Sequence, residues 1–125
     1  LPNTERLVTH AICMASVRMA ADIDIKAIVT MTHSGYTAFK ISSMRPKAHI
    51  FAFTSNKRIL TMLNLVWGVR AAYYDKTVST DHTVADIKHI LLNKKLVKKG
   101  DLVANVASMP IAEQGMANMI RLSAV

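Results

Sequence analysis

The sequence predicts an α/β domain of three layers: a five-stranded, mostly parallel sheet whose last strand is antiparallel, with helices on both faces. Short β-branched apolar runs alternate with helical stretches at even spacing, the pattern of parallel strands joined by right-handed crossovers. The composition supplies the core. Of 125 residues 51% are hydrophobic, with only 4 Gly and 3 Pro, too apolar and too regular for a disordered or low-complexity chain. A chain of this length buries one core as a single domain.

Each element can be justified in turn. Asn3 or Thr4 is placed to cap a first helix running to about Ala21, which sets Leu7, Ala11, Met14, Val17 or Arg18, and Ala21 along one face. Its alanines and methionines point to close packing. Asp22-Ile23-Asp24 breaks the pattern, and Ala27-Ile28-Val29-Thr30-Met31 reads as a buried strand. Thr32-His33-Ser34-Gly35 then leads into a helix from Thr37 to Met44. Arg45-Pro46 stops it, because proline cannot continue a helix and restricts the residue before it. His49 to Phe53 forms the second strand, Asn56 caps a helix through about Leu65, and Val69 to Tyr74 forms the third strand. Thr80 or Asp81 caps a longer helix, with Val84, Ile87, Ile90, Leu91 and Leu96 or Val97 facing inward. Gly100-Asp101 turns into the fourth strand, Leu102 to Ala107, and a last strand from about Met119 to Ala124 closes the chain. No linker, repeat or second domain interrupts this series.

The 16 Lys and Arg against 8 Asp and Glu give a net charge of +8, which invites a nucleic-acid partner. The obvious patch is Lys94, Lys95, Lys98 and Lys99, but no aromatic residue interleaves with these lysines as a stacking platform, and cations at a helix C-terminus are favoured by its dipole alone. A solvated face explains them. Cys13 is the only cysteine, so no intrachain disulfide forms; a reducing, cytoplasmic setting is expected, and a packed thiol rather than a nucleophile. No apolar run reaches the roughly 18 residues of a membrane span, and the first residues carry no signal-peptide pattern. The chain begins at Leu1 rather than Met, as expected of a domain cut from a longer protein.

Ligands of open α/β sheets bind beyond the carboxyl ends of the strands, so the residues just after each strand carry the chemistry. After the first strand stand Thr32, His33, Ser34, Gly35, Tyr36 and Thr37. A hydroxyl-rich turn with one glycine at a helix start suits phosphate, through free N–H groups, the helix dipole and extra hydroxyl donors. The alternative is that Ser34 or Thr32 merely caps the helix. Thr54-Ser55-Asn56-Lys57 repeats the theme and reads as a cap plus a solvated lysine. His82, Asp86 and His89 share a helix face without a further metal ligand, so ion pairing is expected there and no metal site. There is no P-loop, no G-x-G-x-x-G and no nucleophile elbow, and Asp75 is the main carboxylate near a strand end, so no catalytic residues are assigned.

Taken together the segments resemble the C-terminal domain of the pyruvate kinases, over the whole chain. The run Ala27 to Ala38, followed by Ile41-Ser42 and Arg45-Pro46, is similar to that family's strand, T-x-S-G-x-T-A turn and R-P ending. Leu63-Asn64-Leu65-Val66-Trp67-Gly68-Val69 resembles its L-x-W-G-V segment, Lys98-Lys99-Gly100-Asp101 its K-K-G-D turn, and Pro110, Gly115, Asn118 and Arg121 fall where its closing loop and strand have them.

The resemblance implies a regulatory and assembly domain of an enzyme that transfers phosphoryl from phosphoenolpyruvate to ADP. In that family the catalytic lysine, the Mg²⁺ ligands and the K⁺ site lie in a (β/α)8 barrel, which this sequence lacks. It implies no cofactor here and no kinase activity for these residues alone, with the barrel as partner. It also implies an effector phosphate at Thr32, His33, Ser34, Gly35 and Thr37. His33 stands where many relatives have lysine, so its charge there depends on pH. The closing loop, with Pro110, Glu113 and Gly115, departs from the bisphosphate pattern because Glu113 adds negative charge. A sugar monophosphate or AMP, or no effector, is therefore expected. Tetramer formation in the family makes Met119-Ile120-Arg121-Leu122 a candidate edge for self-association. The competing reading is a stand-alone basic module binding nucleotides or nucleic acid.

Overall fold

The computed structural model describes residues 4–75, 80–107 and 117–125. Its strands are β1 (Ala27–Met31), β2 (His49–Thr54), β3 (Val69–Tyr73), β4 (Leu102–Ala107) and β5 (Met119–Ala124). The helices are α1 (Thr4–Asp22), α2 (Tyr36–Ser43), α3 (Leu60–Asn64), preceded by a 3₁₀ turn at Lys57–Ile59, and α4 (Thr80–Asn93). The strand order is β3-β2-β1-β4-β5, with every neighbouring pair parallel except β4 and β5. This is the expected fold class. The last strand runs back because it starts beside the end of β4, where the Asn118 N–H donates to the Ala107 carbonyl. Its register is held by Asn105, buried in β4, whose Nδ2 donates to the Arg121 carbonyl at 3.1 Å and to Ser123 Oγ at 3.0 Å.

A strand paired on both edges and covered on both faces must be apolar in nearly every position. β1 fits that demand: Ala27, Ile28, Val29 and Thr30 are buried. Their alternation separates two cores. Ile28 packs with Ile50, Ala52, Val106, Cys13, Ala38, Ile41 and Leu63 under α1, α2 and α3. Ala27 and Val29 pack with Phe51, Phe53, Val103, Ile87 and Leu91 under α4. Of the inward residues expected of the last helix, Val84, Ile87 and Leu91 are buried and Ile90 only partly so; the helix ends at Asn93, and beyond it Val97 rather than Leu96 is the buried one.

The first helix corrects its expectation. The stripe Leu7, Ala11, Met14 and Ala21 faces outward, with Leu7 61% and Met14 53% exposed, while Thr9, Cys13, Ser16 and Ala20 are buried. Two of these buried residues hide their polarity in local bonds. Thr9 Oγ1 donates to the Ala117 carbonyl at 3.0 Å and Ser16 Oγ to the Cys13 carbonyl at 2.8 Å. Small, self-satisfied side chains let α1 approach the sheet closely, and this contact outranks the apolar stripe. Asn3 lies outside the described residues, and Thr4 is already helical. The Arg45-Pro46 stop is executed by Arg45 itself, which takes a left-handed φ of 51° while its N–H donates to the Ser42 carbonyl.

Thr30 Oγ1 is buried in the central strand without a hydrogen-bond partner. An orphaned buried hydroxyl costs about 1–3 kcal/mol, so Thr30→Val, which keeps the shape and removes the polarity, is expected to leave stability unchanged or raise it by about 1 kcal/mol. Urea denaturation of the two chains measures this. A clear loss of stability would show that the hydroxyl is satisfied in solution.

Candidate functional site

The sheet extends from β1 to β2 and β3 on one side and resumes at β4 on the other, so the crevice beside β1 and β4 is the switch point of the fold. At its edge the chain leaves β1 and turns through Thr32, His33, Ser34 and Gly35 into α2. The Thr32 N–H donates to the Phe53 carbonyl at 2.9 Å, which carries the pairing one residue past the strand. Thr32 Oγ1 then accepts the Gly35 N–H at 2.8 Å, and Ser34 Oγ accepts the Tyr36 N–H at 3.3 Å. Neither hydroxyl is the cap of α2. That position belongs to Gly35, at φ 90° and ψ −6°, and the hydroxyls shape the turn ahead of it. The left-handed backbone is what calls for glycine; a Cβ on Gly35 would stand 3.3 Å from Leu63 Cδ2 and 3.4 Å from Met62 Cε, a tight fit that the Leu63 side chain would relieve by a small shift.

The turn leaves hydrogen-bond donors unused. Among the described residues the N–H groups of Ser34, Thr37 and Ala38 and the hydroxyl of Thr37 make no hydrogen bond within the protein; Ser34 is exposed, Thr37 5% exposed and Ala38 fully buried. Because Thr32 and Ser34 already accept N–H bonds, their hydroxyl protons point the other way, as donors. Donors at a helix N-terminus with no carboxylate in the turn favour an anion.

Cations stand close by. Arg6 of α1 lies 5.4 Å and Lys40 Nζ 6.0 Å from the centre of the Tyr36 ring. Lys40 was findable from sequence as the residue one turn beyond Tyr36; Arg6 was not, because only the packing of α1 on α2 brings it there. The second hydroxyl loop is also adjacent. Thr54 Oγ1 accepts the Asn56 N–H at 3.0 Å, Asn56 Oδ1 accepts the Arg58 N–H at 3.1 Å, and Asn56 Nδ2 donates to the His33 carbonyl at 3.2 Å. Lys57 is exposed with its ammonium 5.0 Å from the Tyr73 ring centre. His33 and Ser34 are exposed, whereas Thr32, Gly35 and Thr37 are buried. Pro110, Glu113 and Gly115 lie outside the described residues.

The remaining polar clusters are accounted for locally. Asp86 accepts the Tyr74 hydroxyl at 2.8 Å and sits 3.8 Å from His82 Nε2. Burial first, and that hydrogen bond next, push Tyr74 up to about 12. Burial likewise pushes the Cys13 thiol up to about 11, against the opposing charge of Lys40, so it stays protonated and unreactive. Among the described residues no group of three or more His, Cys, Asp or Glu could hold a metal ion, and no helix is long and apolar enough to cross a membrane.

A family model described as "Pyruvate kinase, alpha/beta domain" matches residues 10–123. The pyruvate kinase of Lactobacillus delbrueckii subsp. bulgaricus is 37% identical over 118 residues, 94% of this chain and 20% of the relative. That of Clostridium acetobutylicum is 33% identical over 123 residues, 98% of this chain and 26% of the relative. The chain thus spans about a fifth to a quarter of the curated relatives it matches. A crystal structure of a Cryptosporidium parvum pyruvate kinase superposes with a TM-score of 0.83 at 24% identity, covering 94% of this chain and 22% of that one, a likeness of fold.

Gly35→Ala is expected to lower stability by about 1–2 kcal/mol, from the left-handed backbone and the crowding against Leu63. In thermal unfolding this reads as a drop of several degrees, with a larger relative loss of any anion affinity. An unchanged melting temperature would mean that the turn adopts another conformation.

Proposed function

The chain belongs to the pyruvate kinase α/β-domain family, and from that premise we propose that it serves as the regulatory and assembly domain of a pyruvate kinase, gripping an effector phosphate at the turn between β1 and α2. The observation that carries this reading is the direction of the hydrogen bonds: Thr32 and Ser34 spend their acceptors on the backbone, which leaves their protons, the free N–H groups and the Thr37 hydroxyl as donors. Phosphate oxygens take such donors without proton transfer. Arg6 and Lys40 add positive charge around the turn, on which His33 stands exposed. Transfer of phosphoryl from phosphoenolpyruvate to ADP would be the work of a barrel domain of the same polypeptide, in the cytoplasm, where Mg²⁺ and K⁺ supply charge neutralisation. The α/β domain contributes binding energy that differs between conformations of the whole enzyme.

The effector is a monophosphate, a sugar monophosphate or AMP. Glu113, in the sequence of the closing loop with Pro110 and Gly115, adds a negative charge that disfavours a second phosphate there, since like charges repel. Assembly would use the β5 edge. Among the described strands β5 pairs only with β4, and Leu122 is 39% exposed on it. The outward stripe of α1, with Leu7, Val8 and Met14, adds apolar surface that a second copy would cover.

In a thermal-shift series, AMP or glucose 6-phosphate at about a hundredfold excess over its Kd should stabilise the chain by roughly 2.7 kcal/mol, a rise of several degrees, with fructose 1,6-bisphosphate no better. Thr37→Val should weaken binding about five- to tenfold. Preferential binding of the bisphosphate would overturn the monophosphate assignment.

Sedimentation of the chain at increasing concentration is expected to show dimers or larger species. Replacing Leu122 with Lys should shift them toward monomer, because a charged edge resists pairing. A monomer at every concentration would exclude self-association through this edge.

A further inference from the structure

We propose that Asn56 is a positioning residue for the anion turn, a claim that rests on the phosphate reading above. Asn56 sits after β2, on the loop beside the turn that follows β1. As the cap of the 3₁₀ turn at Lys57–Ile59 it needs only an acceptor, which Oδ1 provides to the Arg58 N–H at 3.1 Å. Serine, threonine or aspartate would serve equally well for that task. Among these residues asparagine alone carries its acceptor and its donor on separate atoms, and both are used: while Oδ1 caps, Nδ2 reaches across to the His33 carbonyl at 3.2 Å. The amide cannot rotate freely while it makes both bonds, and the Asn56 N–H is itself anchored on Thr54 Oγ1 at 3.0 Å. One side chain therefore ties two loops at the carboxyl end of the parallel strands.

The tie bears on the ligand through the geometry of a single peptide. The His33–Ser34 peptide is planar and trans, so its carbonyl and its N–H point in opposite directions. Holding the His33 carbonyl toward the β2 loop turns the Ser34 N–H away from it, and this N–H is one of the donors without a partner among the described residues. Ser34 also supplies the hydroxyl that receives the Tyr36 N–H. Asn56 thereby fixes the orientation of a backbone donor and of the serine next to it without touching the anion. A donor held in place before binding costs less ordering when the anion arrives.

Asn56→Ser separates the two roles, because serine keeps the cap and cannot bridge to His33. In the ligand-free 125-residue chain, the ¹⁵N order parameters of Ser34 and Gly35 should fall from rigid values of about 0.85 toward 0.6, with β1 and β2 unchanged. Titration with inorganic phosphate and with AMP, followed by the amide shifts of Ser34 to Ala38, should give a Kd about fivefold weaker than in the unsubstituted chain. Asn56→Asp, which also keeps the cap, repeats the ligand-free measurement should the serine variant unfold. Unchanged order parameters in these variants overturn the positioning role, and so does greater motion with unaltered affinity. Absence of phosphate-induced shifts in the unsubstituted chain overturns the anion reading itself and this inference with it; that outcome is recognised before any variant is made.

Discussion

The arrangement depends on the parallel pairing of β1 with strands on both of its edges. Parallel neighbours cannot be joined by tight hairpins, so each connection must pass over a face of the sheet, and the helices that make these passages become the two outer layers. β2 and β3 follow β1 on one side, and the chain then returns to place β4 on the other. That return brings the fold's reversal point to the end of β1. The turn at Thr32 to Thr37 is therefore where it is because of the strand order, and its chemistry is superimposed on a position that the topology had already singled out.

Once the position is set, the turn is shaped by local bonds that consume backbone donors selectively. Thr32 and Ser34 take the N–H groups of Gly35 and Tyr36, and leave those of Thr37 and Ala38 open. A helix start normally satisfies its donors with a side-chain cap or with water. Here the cap position holds Gly35, which has no side chain to offer, in a backbone conformation that other residues pay to adopt. Leu63 and Met62 pack near the point where a Cβ would stand. Glycine adopts this left-handed backbone without the steric cost that a Cβ would bring, so the turn combines an easy conformation with N–H groups that no side chain caps.

Most of the fold was legible in the sequence because its strands are buried on both faces and therefore apolar throughout, and because glycine, proline and capping residues mark the boundaries. The reading failed at α1 for an identifiable reason. Periodicity assigns the large apolar residues to the core, but close approach to a sheet rewards small side chains, and Thr9 and Ser16 conceal their polarity in hydrogen bonds that no pattern of hydrophobicity registers. The site was legible in the same partial way. Thr32, Ser34, Gly35 and Thr37 announce themselves by composition and by their place after a strand. Arg6 and Asn56 do not, since each reaches the turn across a tertiary contact from an element distant in the chain.

That division has a physical consequence for how a domain of this kind can be regulated. The residues that offer donors are contiguous, so their relative geometry is nearly fixed by the turn itself. The groups that reach the turn from outside it, Arg6 and Asn56, come from α1 and from the loop after β2. α1 is also the helix that leaves Leu7 and Met14 outside. A partner covering that stripe would act on the same helix that holds Arg6 near Tyr36. The outward apolar stripe and the cation beside Tyr36 are thus carried by one helix, α1.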